Sequence, residues 1–472
     1  MAYFFSGSKE LFDDLITEIG LPKIVITHKK SIVNVANLES YDHKKCRNAV
    51  YDTINWSSIP PLSKSDLLKY SEVEHIYLKM ADRLGVLQSY QQRKDEYNKH
   101  LRFWIWKLSQ FNFNFAFFEN VPHEGYNFVL YSILVANKVK VITFYQLPVR
   151  PGKTYLLHSF SNIFKQGEEI NKILKSGAFT KKPITPEISK KFQGYLDLTN
   201  PEIANIESFT RAKNFKLWSL TDKIEQTLNK IKKFRVYSIG DLKKLLAMRM
   251  GYDNYLASSK SLLRNYNRNT VNPSLNKPYI YFAFHYQPEL STSPIGGVFV
   301  DQILACEILA FAAKKFNVLL YIKEHPRGAK GSYTRSHDAY NKLLNYDNVR
   351  LLPNKINTFE LIDKSICAST ITGSLGIEAL MRKKPILMFG SRFYEACYGA
   401  FSVSSVNDVS RALSVIFKNE IQITNESINN FLYALDKVTF EGYTDNKDEN
   451  IATVSLKKSN QNKIKMIKQL IM

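Results

Sequence analysis

The sequence predicts two α/β domains, each a parallel sheet wound with helices, facing each other across a cleft. Three observations predict it. Short runs of strand character alternate with helix-length runs in both halves of the chain. A polar stretch with two prolines, 267–278 (NRNTVNPSLNKP), separates the halves. The chain has 472 residues, enough for two or three domains, and 44% of them are hydrophobic, so each half has the material for its own core.

The first half opens with the strand KIVITH, Lys23–His28. A charged, helix-forming stretch, Glu72–Leu108, reads as one or two helices. Asn114–Glu119 (NFAFFE) is a strand, Gly125–Ala136 a helix and Val139–Gln146 a strand. Strand, helix, strand with short connections is the parallel crossover unit. From Pro151 to Tyr266 the pattern weakens into lysine-rich helical decoration, with amphipathic candidates at Leu220–Phe234 and Ile239–Met250. After the linker the alternation is clean. Strands are expected at Tyr279–Tyr286, Val318–Lys323, Val349–Leu352, Ile366–Ser369 and Pro385–Phe389. Helices are expected at Val298–Lys315, Ser336–Asn345, Thr358–Lys364, Ser374–Arg382 and Val406–Lys418. The division is therefore 1–266 for a first domain with a helical insertion, 267–278 for the linker, 279–420 for a second domain, and 421–472 for C-terminal helices packing back on the first.

The net charge of +22 favours an anionic partner: nucleic acid, anionic lipid or an acidic glycan. No zinc-finger, helix-turn-helix or RNA-binding signature accompanies it, so nucleic acid has composition alone behind it. The four cysteines stand far apart without CxxC spacing, which argues against a disulfide framework or a zinc site. The N-terminus lacks a basic region followed by an apolar core, and no apolar run is long enough to span a bilayer. A cytoplasmic protein is expected. Lys457–Met472 reads as a basic amphipathic helix, either resting on the anionic inner face of a membrane or packing back across the first domain; the second is preferred.

Chemistry-bearing residues gather at strand ends. At Tyr321–Arg327 (YIKEHPR), a buried strand runs into His325-Pro326, flanked by Lys323 and Arg327. Proline stiffens the turn, and a histidine held there can donate to a phosphate or a leaving oxygen. At Ala368–Leu380 (ASTITGSLGIEAL), a strand runs into a Ser/Thr/Gly turn that opens a helix. Free amides and the helix dipole make such a start an anion site, to which Ser369, Thr370, Thr372 and Ser374 add hydroxyls. Gly373 allows close backbone approach, and Glu378 can accept from ribose hydroxyls. A plain helix cap by Ser374 is compatible with both roles. In the loop His285–Gly297, Gln287, Glu289 and Ser291 face a donor. After the last strand, Arg392 and Tyr394 line the same pocket, while Phe393 reads as core. In the first half, Glu119, His123 and Glu124 follow a strand end and are candidates for a general base, with Glu124 preferred. Asp-x-Asp occurs nowhere in the chain, so no metal-bridged diphosphate site is expected.

Three stretches then carry a resemblance: YIKEHPRG at 321–328, TITGSLGIEALMRKKPILMFG at 370–390, and the Phe393-Tyr394 pair. They resemble the C-terminal half of bacterial capsule polysaccharide biosynthesis transferases, including Kdo and related nonulosonate transferases. Bacterial sialyltransferases have a similar His-Pro motif and a Ser/Thr motif that hold the CMP phosphate. The resemblance implies a GT-B architecture of two Rossmann-like domains, with the acceptor on the first and the nucleotide sugar on the second. It also implies that His325 contacts the donor phosphate, backed by Ser369 and Thr370. The sialyltransferase motif that supplies the base has no counterpart here. Glu378 suits a UDP donor and the His-Pro pair a CMP donor; CMP is preferred, with no separate cofactor. The implied function is glycosyl transfer onto a capsular or other surface glycan or glycolipid. The alternatives are a UDP-sugar transferase, a sugar-nucleotide epimerase, and a non-catalytic polyanion-binding assembly protein.

Overall fold

The computed structural model describes residues 2–4, 9–27, 38–51, 54–81, 88–147, 156–177, 184–202, 261–287, 289–325, 338–444, 452 and 454–471. The expected helices at 220–234 and 239–250 lie outside them.

The first sheet holds β1 (Ala2–Phe4), β2 (Ile24–Thr27), β3 (Glu39–Asp42), β4 (Phe115–Phe118), β5 (Lys140–Gln146) and β6 (Leu156–Phe160). Its order is β13-β6-β5-β4-β1-β2-β3, with β13 (Thr439–Glu441) arriving from the far end of the chain. β1 to β5 pair in parallel, whereas β6 runs antiparallel to both β5 and β13. Strand β4 shows why the sequence adopts this form. Its four residues are all buried, because alternate side chains serve two cores. Phe115 and Phe117 pack with Leu11, Phe12 and Ile467 on one face. Ala116 and Phe118 pack with Trp104, Val129 and Ile133 on the other.

The second sheet is wholly parallel: β7 (Tyr279–Ala283), β8 (Leu319–Lys323), β9 (Val349–Leu352), β10 (Cys367–Thr370), β11 (Ile386–Met388) and β12 (Ala400–Ser402). Its order is β12-β11-β10-β7-β8-β9. Read from β9, this is the 3-2-1-4-5-6 order of a dinucleotide-type doubly wound fold, and β1 to β5 repeat its first five places. Each sheet therefore has one switch point, between β1 and β4 and between β7 and β10. At a switch point the crossovers leave in opposite directions, and a crevice opens at the carboxyl ends of the strands.

The structure departs from the sequence expectations in several places. Strand β6 (LLHSF) was not expected. It is short, and its polar His158 and Ser159 are buried, so periodicity does not mark it. Strand β12 is equally short and half-exposed. The helix expected from Val298 is a 3-10 turn, Gly297–Val300, followed by a helix from Gln302 capped by Asp301, whose side chain accepts from Ile303 N at 3.2 Å. Leu262 and Tyr266 belong to the second domain's core, so the residues just before the linker do not pack with the first domain as the 1–266 division expects. Tyr266 fixes this by donating to Leu352 O and accepting from Glu324 N at 2.8 Å.

The C-terminal residues tie the halves together. Helix Asn425–Lys437 packs in a core shared by both domains. Helix Leu456–Ile471 lays Ile464 and Ile467 against helix Lys9–Glu18 of the first domain. Its Lys463 is buried and paired with buried Glu119 at 2.9 Å, while Lys457, Lys458 and Lys465 face solvent. Among the described residues no helix is long and apolar enough to cross a membrane.

Candidate functional site

A cavity of about 240 Å³ opens at the β7/β10 switch point. Its floor is the turn after β10. Thr370 Oγ1 accepts from Gly373 N at 3.0 Å and lies 2.9 Å from His285 Nε2, and Thr372 N reaches the same nitrogen at 3.4 Å. The Thr372 amide can only donate, so in this arrangement Nε2 accepts, the neutral ring carries its proton on Nδ1, and the Thr370 hydroxyl donates to Nε2 as well. His285 thus braces the turn from the end of β7. Gly373 keeps this packing close, because a Cβ would sit 3.0 Å from both the His285 ring and Thr370 Oγ1 and both would have to give way.

Gly373 is also the N-cap of helix Ser374–Met381 and offers no side-chain cap. Gly373 N is spent on Thr370 Oγ1 and Gly376 N on Gly373 O at 3.1 Å, so the Ser374 and Leu375 amides are the ones a ligand can take, in the arrangement that binds phosphates at helix starts. Tyr394 closes over the turn, donating to Gly373 O at 2.6 Å. Its ring occupies the space above Gly376, where a Cβ would lie 2.5 Å away.

Arg392 supplies the charge. It lines the cavity, is 6% exposed, and stacks on Tyr145 of β5 with 4.1 Å between the guanidinium carbon and the ring centre. One terminal nitrogen donates to the Tyr145 hydroxyl. Its Nε and other terminal nitrogen are buried and have no hydrogen-bond partner among the described residues. Leaving buried charged donors unpaired is costly. Among the described residues, the only carboxylate lining the cavity, Glu289, is exposed. A buried guanidinium with two donors unpaired among the described residues, beside a helix start without a side-chain cap, is an arrangement able to hold an anion. Tyr145 comes from the first domain, so the site is shared. The domains are stapled alongside by Gln166 N to Ser391 Oγ at 2.9 Å and Gly167 N to Glu395 Oε1 at 2.8 Å. Burial raises the Glu395 carboxyl above its ordinary pKa.

Of the residues expected from the sequence, His325, Thr370, Thr372, Gly373, Ser374, Glu289, Arg392 and Tyr394 all line this cavity. The His325 ring lies 5.6 Å from that of Tyr286, and the His325 backbone N–H donates to the buried Glu324 carboxylate at 2.9 Å. Thr372 donates to Ser291 O and so holds the 289–297 loop. Pro326 and Arg327 lie outside the described residues.

Others are placed elsewhere. Lys323 does not line the cavity: it is buried on the opposite side of its strand end, donating to Ile356 O at 2.9 Å and Thr358 Oγ1 at 2.6 Å, and burial pulls its pKa down to about 8. Ser369 is fully buried and spends its hydroxyl on Leu387 O at 2.9 Å, because alternation turns it away from Thr370. Gln287 is buried and donates to Val300 O at 2.6 Å, shaping the loop without lining the cavity. Glu378 falls in the second turn of its helix, not the first, and does not reach the cavity. Burial raises its pKa, opposed by a Ser374 hydrogen bond and the Lys323 charge. The cap expected from Ser374 is Gly373 instead.

In the first domain, Glu119 is closed off by its buried pairing with Lys463, so it is not available to a substrate. His123 contacts Val121 O through Nδ1 at 2.6 Å and lies 3.8 Å from Glu124 Oε1 through Nε2. Glu124 is half-buried, with Arg47 Nε 3.3 Å from Oε2. His285 and Tyr145 are the site residues that sequence reasoning missed. His285 had a signal, since it ends β7 as His325 ends β8; Tyr145 had none, because its role depends on domain packing.

The geometry can be set against known proteins. A family model described as "Capsule polysaccharide biosynthesis protein" matches residues 299–399. The match lies wholly within the second domain. The match runs from the 3-10 turn before helix Gln302–Lys314 to the turn before β12, and so includes His325, the β10 turn and Arg392. Two doubly wound sheets with this shared cavity make the architecture GT-B. No curated protein sequence matches the chain. Among solved structures, the β-Kdo 2,7 transferase of KpsC from Thermosulfurimonas dismutans is 12% identical, with 81% of this chain and 91% of that one covered and a TM-score of 0.29. HepE from Anabaena, in complex with UDP-glucose, is 11% identical over 99% and 98%, with a TM-score of 0.29. UDP-GlcNAc 2-epimerase from Methanocaldococcus jannaschii is 9% identical over 92% and 99%, with a TM-score of 0.27. Likenesses this distant assign neither substrate nor residue roles.

Proposed function

We propose that the protein is a glycosyltransferase that moves a sugar from a nucleotide donor onto a capsular or other surface-polysaccharide acceptor. The observation that carries this reading is Arg392: a buried guanidinium with unpaired donors, beside the uncapped start of helix Ser374–Met381, in a family-matched domain. The donor phosphate sits between Arg392 and the Ser374 and Leu375 amides, with His325 at the rim. The acceptor oxygen forms its bond to the anomeric carbon, and the bond from that carbon to the phosphate oxygen breaks with its electron pair onto the phosphate. The acceptor proton passes to a carboxylate, for which Glu124 is the candidate. Fixed charge at the phosphate stabilises the leaving group without a metal. A CMP-activated nonulosonate such as Kdo is the preferred donor, on the strength of the His-Pro turn. The charge of +22 supports an acidic neighbour, either the acceptor or the inner face of the cytoplasmic membrane.

The test is thermal unfolding with CMP, UDP, GDP and CDP at millimolar concentration. One nucleotide is expected to raise Tm by several degrees, and Arg392→Ala to abolish the shift while the ligand-free transition is kept. No stabilisation by any of the four overturns the proposal.

A further inference from the structure

The first domain has its own cavity of about 400 Å³ at the carboxyl end of β4, lined by Lys44, Arg47, Tyr77, His123 and Glu124 among others. Every lining residue belongs to the first domain, so this cavity is distinct from the one that holds Arg392. The 289–297 loop connects the two. Glu289 and Ser291 line the Arg392 cavity, while Leu290 and Ile295 pack in the first-domain core that includes Phe118 and Val121, at the end of β4.

The charges inside are arranged unusually. Glu124 is held by Arg47 through a single contact of 3.3 Å, with 24% and 36% of their side chains exposed. A half-exposed pair of this kind is weak and exchangeable. Lys44 is exposed, lines the same cavity, and has no ion pair among the described residues. The adjoining helix Tyr126–Ala136 starts at Gly125 (φ 69°) without a side-chain cap. The wall therefore presents one cation with no ion pair among the described residues, Lys44, and one loosely held cation, Arg47, beside Glu124, a carboxylate placed to accept a proton; the other carboxylate of the lining, Glu96, accepts from Gln88 at 2.6 Å.

We propose that this cavity is the acceptor subsite and that its ligand is an acidic glycan, recognised through a sugar carboxylate. The inference rests on the glycosyltransferase reading. The sugar carboxylate takes the Arg47 fork, a planar donor set that fits a carboxylate in two contacts, with Lys44 alongside. Glu124 is displaced from Arg47 in the exchange. It is left beside His123, ready to take the proton of the attacking hydroxyl. A neutral glycan offers Arg47 nothing in return for Glu124 and leaves the base engaged. Recognition of the acid and release of the base are one event.

The experiment measures binding of tetragalacturonate and of uncharged maltotetraose to the full chain by calorimetry at moderate salt. Wild type is expected to bind the acid at least tenfold more tightly than the neutral sugar. Arg47→Gln is expected to lower acid affinity about tenfold, and Lys44→Gln severalfold. Glu124→Gln is expected to raise it severalfold, because the competitor for Arg47 is gone; a residue with a merely structural role does not produce that gain. Lys457→Gln, an exposed lysine elsewhere, leaves binding unchanged. Equal binding of the two sugars, or acid affinity unaffected by Arg47→Gln, overturns the inference. Nucleotide stabilisation measured on the same proteins reports the donor site independently. Its absence from wild type counts against the transferase reading, and loss of the acid preference counts against this inference alone.

Discussion

The two switch points follow one topological plan and treat buried charge in opposite ways. At the end of β4, Glu119 and Lys463 are both fully buried and satisfy each other at 2.9 Å. In the cavity at the end of β10, Arg392, which follows β11, is 6% exposed and keeps two donors without a partner among the described residues. A satisfied buried charge holds the fold. An unsatisfied one is kept at a cost, and a ligand is the reason to bear it. The contrast separates residues that a sequence presents alike, since Glu119 and Arg392 both follow a strand end.

Breaking the first pair has the largest expected effect. Lys463→Ala removes the ion-pair partner of a buried carboxylate and is expected to cost about 3–5 kcal/mol in urea unfolding. Replacing both members, Glu119→Leu with Lys463→Met, is expected to recover most of the loss. If the single variant is neutral, the pair is not the clamp described.

Acid sensitivity comes next. Burial lowers the pKa of His100 to about 3 and of His158 to about 4, from an ordinary 6.5. Both are taken up neutral on folding, so the unfolded chain binds the extra protons below 6.5. Their contribution is complete above that pH and declines as pH falls toward 4 and then 3, by several kcal/mol in order of magnitude. Unfolding curves from pH 7 to 4 are expected to show this limb, and His100→Gln to flatten it.

The glycine turn is a smaller effect that sharpens the contrast. Gly376→Ala pushes a methyl into the Tyr394 ring and is expected to cost about 1–3 kcal/mol and to weaken nucleotide binding with it. Arg392→Ala is the smallest in stability, within about 1 kcal/mol of wild type. The lost stacking on Tyr145 is offset by removal of an unpaired charge. The same substitution abolishes nucleotide stabilisation. Large stability cost without loss of binding at Lys463, and the reverse at Arg392, is the signature to look for.

The sheets were largely legible because they are parallel and buried. Runs such as YIYFA and VRLL cannot be mistaken for amphipathic helices, and Val349–Leu352 and Thr358–Lys364 fall where periodicity puts them. Short strands defined by their partners were not legible; β6 exists because β5 and β13 flank it. For the site, the turn after β10 was readable because glycine and hydroxyl residues at a strand-to-helix junction have few other uses. The direction of each side chain was not. Ser369 and Thr370 are adjacent in sequence, yet alternation sends one hydroxyl to Leu387 O and the other to the cavity floor. Glu119 looked as available as Glu124 until Lys463, 344 positions away, was seen to occupy it.

The central claim is that Arg392 and the Ser374 and Leu375 amides hold the donor phosphate. The most direct measurement is a crystal structure with the stabilising nucleotide bound. A phosphate oxygen within hydrogen-bond distance of Arg392 Nε or its free terminal nitrogen, and of the helix-start amides, is the predicted result. A nucleotide bound with its phosphate elsewhere, and Arg392 still engaged with Tyr145 alone, would contradict it.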